Sequence, residues 1–132
     1  NEPFFVTNGD VLSSLDYEEL LDFHNKENSD ATMCTRKDSY QIPYGVIDID
    51  NENNIVTMKE KPCIEFFINT GIYALDPKVL KYIPKGKFFD LPSLFDILKS
   101  NHQTTKSFEI TDYWVDMGKP SDYEAINKKM ER

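Results

Sequence analysis

The sequence predicts an α/β fold, because segments with strand character alternate with amphipathic helical segments along a single chain of 132 residues. Hydrophobic residues make up 39% of the chain and aromatic residues 13%, which is enough to build a packed core. The length fits one domain, since single cores commonly take about 100–200 residues. A wholly disordered chain is therefore excluded.

The first segments already show this alternation. Residues 3–7 are a short apolar run, which predicts a strand buried on both faces, as in a parallel sheet. Asp16 and Glu19 have the spacing of a capping box and predict the start of a helix. Residues 31–35 return to strand character. The apolar face of the predicted helix comprises Tyr17, Leu20, Leu21 and His24.

The middle of the chain predicts a β-hairpin followed by a long strand. Residues 45–49 and 55–58 have strand character and flank the polar residues 50–54, a pattern typical of two strands joined by a loose turn. Residues 66–75 form the longest uncharged apolar stretch and are predicted to be a second buried strand, interrupted by Gly71.

The last third predicts helices and short strands. Asp76 and Pro77 are typical of a helix start, with an acidic cap before a proline. A second helix is predicted over 91–99, and short strands over 106–110 and 113–115. The final helix is predicted to open with a capping box formed by Ser121 and Glu124, and to bury Tyr123, Ile126 and Met130.

Composition excludes several classes of partner. The net charge of −8 and the lack of a basic stripe disfavour general binding to nucleic acid. The apolar stretch 66–75 is about half of the ~20 residues that a membrane span needs. Cys34 and Cys63 are too sparse for a disulfide scaffold or a zinc site, so we expect two reduced, mostly buried thiols and a cytoplasmic location.

Candidate chemistry is concentrated in acids at the ends of predicted strands. The five glycines form no phosphate-binding loop, and neither histidine has a spacing that indicates a catalytic nucleophile nearby. Asp10 and Asp116 each follow a short apolar run, at the position where α/β sheets bind ligands. If the two carboxylates converge, they would suit Mg²⁺. The alternative is that each aspartate only caps a turn.

Two further polar groups leave similar alternatives open. Glu60 could accept hydrogen bonds from sugar hydroxyls while Lys61 neutralises a phosphate, or both could be a solvated strand end. Asn69 and Thr70 interrupt an apolar strand, so their side chains must be satisfied by neighbours or by a ligand.

Five motifs, taken in order, resemble the sugar-1-phosphate nucleotidyltransferase family, the nucleotide-sugar pyrophosphorylases. They are NGD at 8–10, YGV at 44–46, EKP at 60–62, NTGIY at 69–73 and WVDMG at 114–118. The resemblance implies a Rossmann-like, three-layer domain with a mixed, mainly parallel sheet and an inserted β-hairpin region. It also implies that residues 1–132 are the C-terminal portion of a single catalytic domain, truncated at the N-terminus.

The implied reaction joins an NTP and a sugar 1-phosphate to give an NDP-sugar and pyrophosphate, with Mg²⁺ as cofactor. The resemblance implies that Asp10 and Asp116 hold the metal. Lys61 would meet the sugar phosphate as the catalytic lysine. The remaining substrate contacts would come from the Gly45 backbone and the side chains of Glu60 and Asn69.

The resemblance also has a large departure, because the glycine-rich loop with which family members begin does not occur in this sequence. We therefore expect the 132-residue chain to be inactive alone. Because the missing first strands would leave the edge and faces of the sheet uncovered, we also expect it either to self-associate, for example as a homo-oligomer, or to come from a longer protein that was cleaved. The residues of the motifs favour guanylyl or related transferases that serve surface-polysaccharide pathways. Two other functions stay open: a metal-dependent carboxylate hydrolase using Asp10 and Asp116, and a non-catalytic module that binds sugar phosphate.

Overall fold

The computed structural model describes residues 2–130, apart from the side chains of residues 125, 129 and 130. The chain divides into two compact units, here called unit 1 (residues up to 36 and from 69 onward) and unit 2 (residues 37–68). The strands are β1 Phe4–Thr7, β2 Val11–Ser13, β3 Ala31–Gln41, β4 Val46–Ile49, β5 Ile55–Lys59, β6 Cys63–Leu75, β7 Thr105–Glu109 and β8 Trp114–Asp116. The helices are α1 Tyr17–Lys26, a 3₁₀ helix Pro77–Tyr82, α2 Leu91–Ser100 and α3 Pro120–Met130.

The α/β class with a mixed sheet is confirmed. The sheet of unit 1 has the order β1-β6-β3-β7, in which β1 runs antiparallel to β6 and β3 runs parallel to β7. A separate antiparallel pair joins β2 to β8. The strand β2, of only three residues, was not predicted from the sequence.

The core explains why β6 is the central element of unit 1. Alternate residues of a strand point to opposite faces, and β6 contributes to a different apolar cluster on each face. One cluster includes Leu20 of α1, and the other includes Leu94 and Leu98 of α2, so helices cover the sheet on both sides. Unit 1 therefore has the three layers that the resemblance implied. The alternating residues of β6 are Ile72 and Ala74 in the first cluster and Tyr73 and Leu75 in the second.

Two strand predictions were wrong in their burial. β1 forms as expected, but it lies at the edge of the described sheet and pairs antiparallel, so its residues alternate and Phe5 is 38% exposed. The stretch 66–75 is buried only from Thr70 onward, while Phe66 and Phe67 are exposed. The reason is that its first residues belong to unit 2, outside the three-layer core.

The helix starts follow the cap predictions, with one exception. The Asp16 carboxylate accepts hydrogen bonds from the Glu18 and Glu19 amides, and Asp76 accepts one from Lys78 N. At α3 the predicted capping box is wrong, because the helix begins at Pro120 and includes Ser121 in its first turn. Of its predicted inward residues, Ile126 is buried, Tyr123 is exposed, and the Met130 side chain lies outside the described part.

Unit 2 contains the predicted hairpin, with β4 and β5 antiparallel. Its turn is closed by the Asp50 carboxylate, which accepts hydrogen bonds from the Glu52 and Asn54 amides. Ile47 pairs with Met58, and a shift in the register then pairs Ile49 with Ile55. These four apolar side chains are exposed.

The two thiols differ in their burial, so the prediction that both are mostly buried is wrong for Cys63. Both cysteines are free thiols, Cys34 buried in the core of unit 1 and Cys63 exposed at the start of β6. Within residues 2–130, no helix is long and apolar enough to cross a membrane.

A buried polar chain ties α1 to the start of β3. Ser29 donates to the Ala31 carbonyl, and Thr32 donates to Ser29, so the Thr32 oxygen must accept its 2.8 Å hydrogen bond from His24 Nδ1. A neutral His24 then carries its lone pair on Nε2, which is buried and has no hydrogen-bond partner among the described residues.

The charge state of His24 is set by its surroundings. Burial lowers the pKa of this imidazole, outweighing attraction by Asp76 and Asp30, while Lys78 lowers the pKa further. Asp30 itself is ion-paired with Lys78 and accepts a hydrogen bond from Thr104 N. Burial raises the pKa of Asp30, but these two partners outweigh burial and hold the pKa below its ordinary value.

We expect the free energy of unfolding to fall between pH 7.5 and pH 5.5. A histidine whose pKa is lower in the folded state stabilises the fold fully above its unfolded pKa of about 6.5, and this contribution is lost as the pH falls further. Urea unfolding at the two pH values measures the change. His24→Gln should flatten the dependence, whereas His102→Asn, at an exposed position, should leave it intact. An equal pH dependence in His24→Gln would contradict the assignment.

Candidate functional site

The residues predicted to hold a metal are neighbours in unit 1. Asp10 immediately precedes β2, and Asp116 ends β8. The β2–β8 register pairs Val11 with Asp116, and the amide of Met117 donates to the Asp10 carbonyl at 2.7 Å. Two short strands thus place the two aspartates side by side, which their separation of more than 100 residues in sequence does not suggest.

The two carboxylates converge on one small space beside Gly118. A Cβ atom at Gly118 would lie 3.0 Å from Asp116 Oδ1 and 3.2 Å from Asp10 Oδ2. Gly118 N also donates to Asp116 Oδ1 at 2.8 Å, so Asp116 caps its own turn and faces Asp10 at the same time. Asp116 therefore caps its own turn, as one of the two alternatives predicted, and its role as a metal ligand stays a prediction.

This pair fits a divalent cation such as Mg²⁺. Two like charges this close repel each other, and a cation between them removes that repulsion. Neither aspartate takes part in an ion pair within the described residues. No group of three or more His, Cys, Asp or Glu side chains suited to a metal occurs in that part of the chain. Mg²⁺ commonly takes only one or two carboxylates and completes its shell with waters and substrate phosphates, so a pair is sufficient.

The loop that carries Asp10 is fixed by a close contact between Asn8 and Gly71. Asn8 N donates to the Gly71 carbonyl at 2.8 Å. Gly71 has a φ of +77°, and a Cβ there would lie 2.6 Å from Asn8 Nδ2. Only glycine combines that backbone angle with that approach.

β8, the strand that carries Asp116, is anchored to β6 at Thr70, the residue next to Gly71. Trp114 Nε1 donates to the Thr70 carbonyl at 2.9 Å, and Thr70 Oγ1 donates to the Cys34 carbonyl at 2.8 Å. The Thr70 hydroxyl is therefore satisfied by a neighbour. Three of the five motifs, at 8–10, 69–73 and 114–118, are thus joined directly by hydrogen bonds.

Asn69, predicted to contact the sugar, uses its amide within the protein. Its Oδ1 accepts a hydrogen bond from Gly71 N at 2.9 Å, and its Nδ2 donates to the hydroxyl of Tyr73 at 2.8 Å. Tyr73 is only 2% exposed, so this bond satisfies a buried polar atom. These contacts support the strand; a contact from Asn69 to a sugar stays a prediction.

Unit 2 brings together the other three predicted residues. Gly45 and Glu60 flank the Val46–Lys59 pair of the hairpin, and a Cβ at Gly45 would lie 3.2 Å from Glu60 Oε2. Lys61 has a φ of +42°, and its amide donates to the Tyr44 carbonyl at 3.2 Å. Gly45, Glu60 and Lys61 are all exposed. The Lys61 ammonium takes part in none of the ion pairs formed within residues 2–130.

Two residues of this arrangement were not singled out from the sequence. Asn8 and Gly118 both lie inside motifs, beside the predicted aspartates. Each forms a backbone hydrogen bond and lies in a close contact made possible by a glycine, Asn8 with Gly71 and Gly118 with the two carboxylates. Such close contacts depend on the folded structure and cannot be recognised from the neighbouring sequence.

Comparisons with known proteins agree on one family. Residues 1–132 match the sequence profile of the family described as "Nucleotidyl transferase". A UTP–glucose-1-phosphate uridylyltransferase from Synechocystis is 35% identical over 100% of this chain and 36% of its own length. A mannose-1-phosphate guanyltransferase from Kluyveromyces lactis is 37% identical over 93% of this chain and 35% of its own length.

Solved structures show the same relationship. The crystal structure of HddC from Yersinia pseudotuberculosis superposes with a TM-score of 0.66 at 29% identity, covering 98% of this chain and 56% of that protein. The same protein has been solved in complex with GMP-PN, with a TM-score of 0.66 at 28% identity, again over 98% of this chain and 56% of that one. The chain spans about a third of the length of the two curated relatives it matches.

We expect Gly71→Ala to destabilise the fold by about 2–4 kcal/mol, from the left-handed backbone and the overlap with Asn8. Urea unfolding measures the loss. Gly9→Ala is the matched control, since a Cβ at Gly9 meets no atom within 4 Å and its φ is not left-handed, so its change should stay below about 1 kcal/mol. Equal stabilities of the two variants would contradict this account of the Asn8 contact.

We expect Asn69→Ala to lower the free energy of unfolding by about 1–3 kcal/mol, because Gly71 N and the buried Tyr73 hydroxyl lose their partner. Asn51→Ala, in the exposed hairpin turn, should change the same quantity by no more than about 0.5 kcal/mol. Wild-type stability in Asn69→Ala would show that the side chain has no supporting role.

Proposed function

The chain belongs to the nucleotidyl transferase family, and from this premise we propose that the protein containing it transfers a nucleotidyl group from an NTP to a sugar 1-phosphate. The products are an NDP-sugar and pyrophosphate. The observation that carries the proposal is the convergence of Asp10 and Asp116 on one space beside Gly118. The names of the two curated relatives, a uridylyltransferase of glucose 1-phosphate and a guanyltransferase of mannose 1-phosphate, support this substrate class.

The carboxylate pair supplies the metal-binding part of the mechanism. Asp10 and Asp116 would hold Mg²⁺, which when bound neutralises negative charge on the reacting phosphates. The hydrogen bond from Gly118 N fixes one oxygen of Asp116, and the Met117–Asp10 backbone bond fixes the distance between the two strands. These two contacts hold one Asp116 oxygen and the two backbones in place before a cation binds, which is the kind of preorganisation that electrostatic catalysis uses.

Unit 2 supplies groups suited to the sugar phosphate. Gly45 has no side chain, so a sugar can reach its backbone next to the Glu60 carboxylate, which accepts hydrogen bonds from hydroxyls. The ammonium of Lys61 is exposed and would neutralise the sugar phosphate. A phosphate oxygen of the substrate is itself the nucleophile, so the reaction needs no general base. Catalysis then consists of positioning and of charge neutralisation.

The finer assignments belong to the same proposal. We place the reaction in the cytoplasm, which two free thiols support, and in nucleotide-sugar supply for polysaccharide synthesis. Self-association of the chain and its inactivity when isolated stay predictions.

The test is an assay of pyrophosphate release by the full-length protein with panels of NTPs and sugar 1-phosphates. We expect Asp10→Asn, Asp116→Asn and Lys61→Ala each to lower kcat/KM by about 10²–10³-fold, because each removes charge stabilisation of the reacting phosphates. Lys59→Ala, an exposed lysine two residues from Lys61, should stay within about twofold of the wild type.

Two outcomes would redirect the assignment. Loss of activity in both aspartate variants with full activity in Lys61→Ala would favour the metal-dependent hydrolase. Binding of sugar phosphate by calorimetry without turnover of any NTP would favour the non-catalytic module.

A further inference from the structure

We propose that Gly118 is a positioning residue that sets the spacing of the two metal-binding carboxylates, through its backbone N–H and through the side chain it lacks. The inference rests on the proposed function, since it gives Asp10 and Asp116 a common cation. It concerns a residue that lies next to the pair in the structure and would not itself touch the metal.

The first contribution is a hydrogen bond. Gly118 N donates to Asp116 Oδ1 at 2.8 Å, and the donor comes from the turn directly after β8. A hydrogen bond to a charged carboxylate is among the stronger ones in proteins, so it holds the side chain in one rotamer. Oδ2 of Asp116 takes part in none of the hydrogen bonds found in residues 2–130, which leaves it available to a cation.

The second contribution is space. A Cβ on Gly118 would lie 3.0 Å from Asp116 Oδ1 and 3.2 Å from Asp10 Oδ2, both closer than an ordinary van der Waals contact. The two oxygens can therefore be separated by no more than these two distances combined. To accept an alanine, the two carboxylate oxygens must shift by a few tenths of an ångström. We expect this shift to move the oxygens apart and to weaken the hydrogen bond from Gly118 N.

No other constraint accounts for a glycine at this position. Within the described residues, the glycines with left-handed backbone are Gly71 and Gly86, so the turn at Gly118 does not need one. Gly118 is exposed, and the three atoms nearest to an added Cβ all belong to the Asp10 and Asp116 carboxylates. The space between the carboxylates is what an added methyl group would occupy, and the effect of alanine should be confined to the pair.

Cation size gives the proposal a distinctive signature. Mg²⁺ requires oxygens at about 2.0–2.1 Å in near-octahedral geometry, whereas Ca²⁺ accepts about 2.3–2.6 Å and flexible geometry. Spreading the carboxylates should therefore weaken Mg²⁺ more than Ca²⁺. A general loss of structure would weaken both ions alike.

The experiment is a ¹H–¹⁵N NMR titration of the full-length protein with MgCl₂ and, separately, with CaCl₂. We expect Gly118→Ala to weaken Mg²⁺ binding by about tenfold or more, as is usual when a group that orients a metal ligand is altered, and to weaken Ca²⁺ binding less. Gly9→Ala is the matched control, a glycine beside Asp10 whose Cβ would meet nothing within 4 Å, and both affinities should stay within about twofold.

The outcomes separate this inference from the function it rests on. Wild-type Mg²⁺ affinity in Gly118→Ala, or an equal loss of Mg²⁺ and Ca²⁺ affinity, overturns the positioning role while Asp10→Asn still abolishes binding. Absence of Mg²⁺ binding in the wild type, unchanged by Asp10→Asn, contradicts the proposed metal pair itself.

A measurement on the unaltered chain covers the case in which Gly118→Ala fails to fold by circular dichroism. On addition of Mg²⁺ to the wild type, the Gly118 amide resonance should shift more than that of Gly9, because only the former is bonded to a metal-binding carboxylate. Equal shifts of the two amides would overturn the proposal.

Discussion

The candidate metal site depends on one close contact, that of Asn8 with Gly71. Because Gly71 adopts a left-handed φ and has no side chain, Asn8 can lie directly against the backbone of β6. The chain leaving β1 is thereby held at the central strand and continues into β2 with Asp10 at its start. At Thr70, the residue of β6 next to Gly71, the carbonyl accepts a hydrogen bond from Trp114 Nε1, and this bond fixes β8. The two carboxylates are thus positioned by Thr70 and Gly71, which belong to the part of β6 that is buried on both faces.

The sequence predicted the elements better than their environment. Strands, helices and the caps at Asp16 and Asp76 carry local signals, since apolar spacing and capping residues act within a few positions. The exposure of Phe66 could not be predicted in this way, because it depends on the point at which β6 passes from unit 2 into the core of unit 1. The stretch 66–75 is apolar both before and after Ile68, where unit 2 ends, so its composition does not show where burial begins.

The same distinction applies to the site. Asp10 and Asp116 could be chosen from residue type and position after a strand, but their convergence requires the pairing of two three-residue strands, which show no periodicity. The hydrogen bonds of Asn69 were equally out of reach, since a polar residue in an apolar strand can be satisfied from inside or from outside. The hydrogen bond from the Thr70 hydroxyl to the Cys34 carbonyl is of the same kind, because it joins segments far apart in sequence.

The different burial of the two cysteines gives the protein a natural attachment point for a spectroscopic label. Burial raises the pKa of the Cys34 thiol to about 12, so at neutral pH it is protonated and inaccessible, whereas Cys63 is exposed. A maleimide fluorophore should therefore modify Cys63 selectively, without removal of either cysteine. Because Cys63 lies two residues after Lys61, the emission of such a label would report directly on the local environment of the lysine assigned to the sugar phosphate.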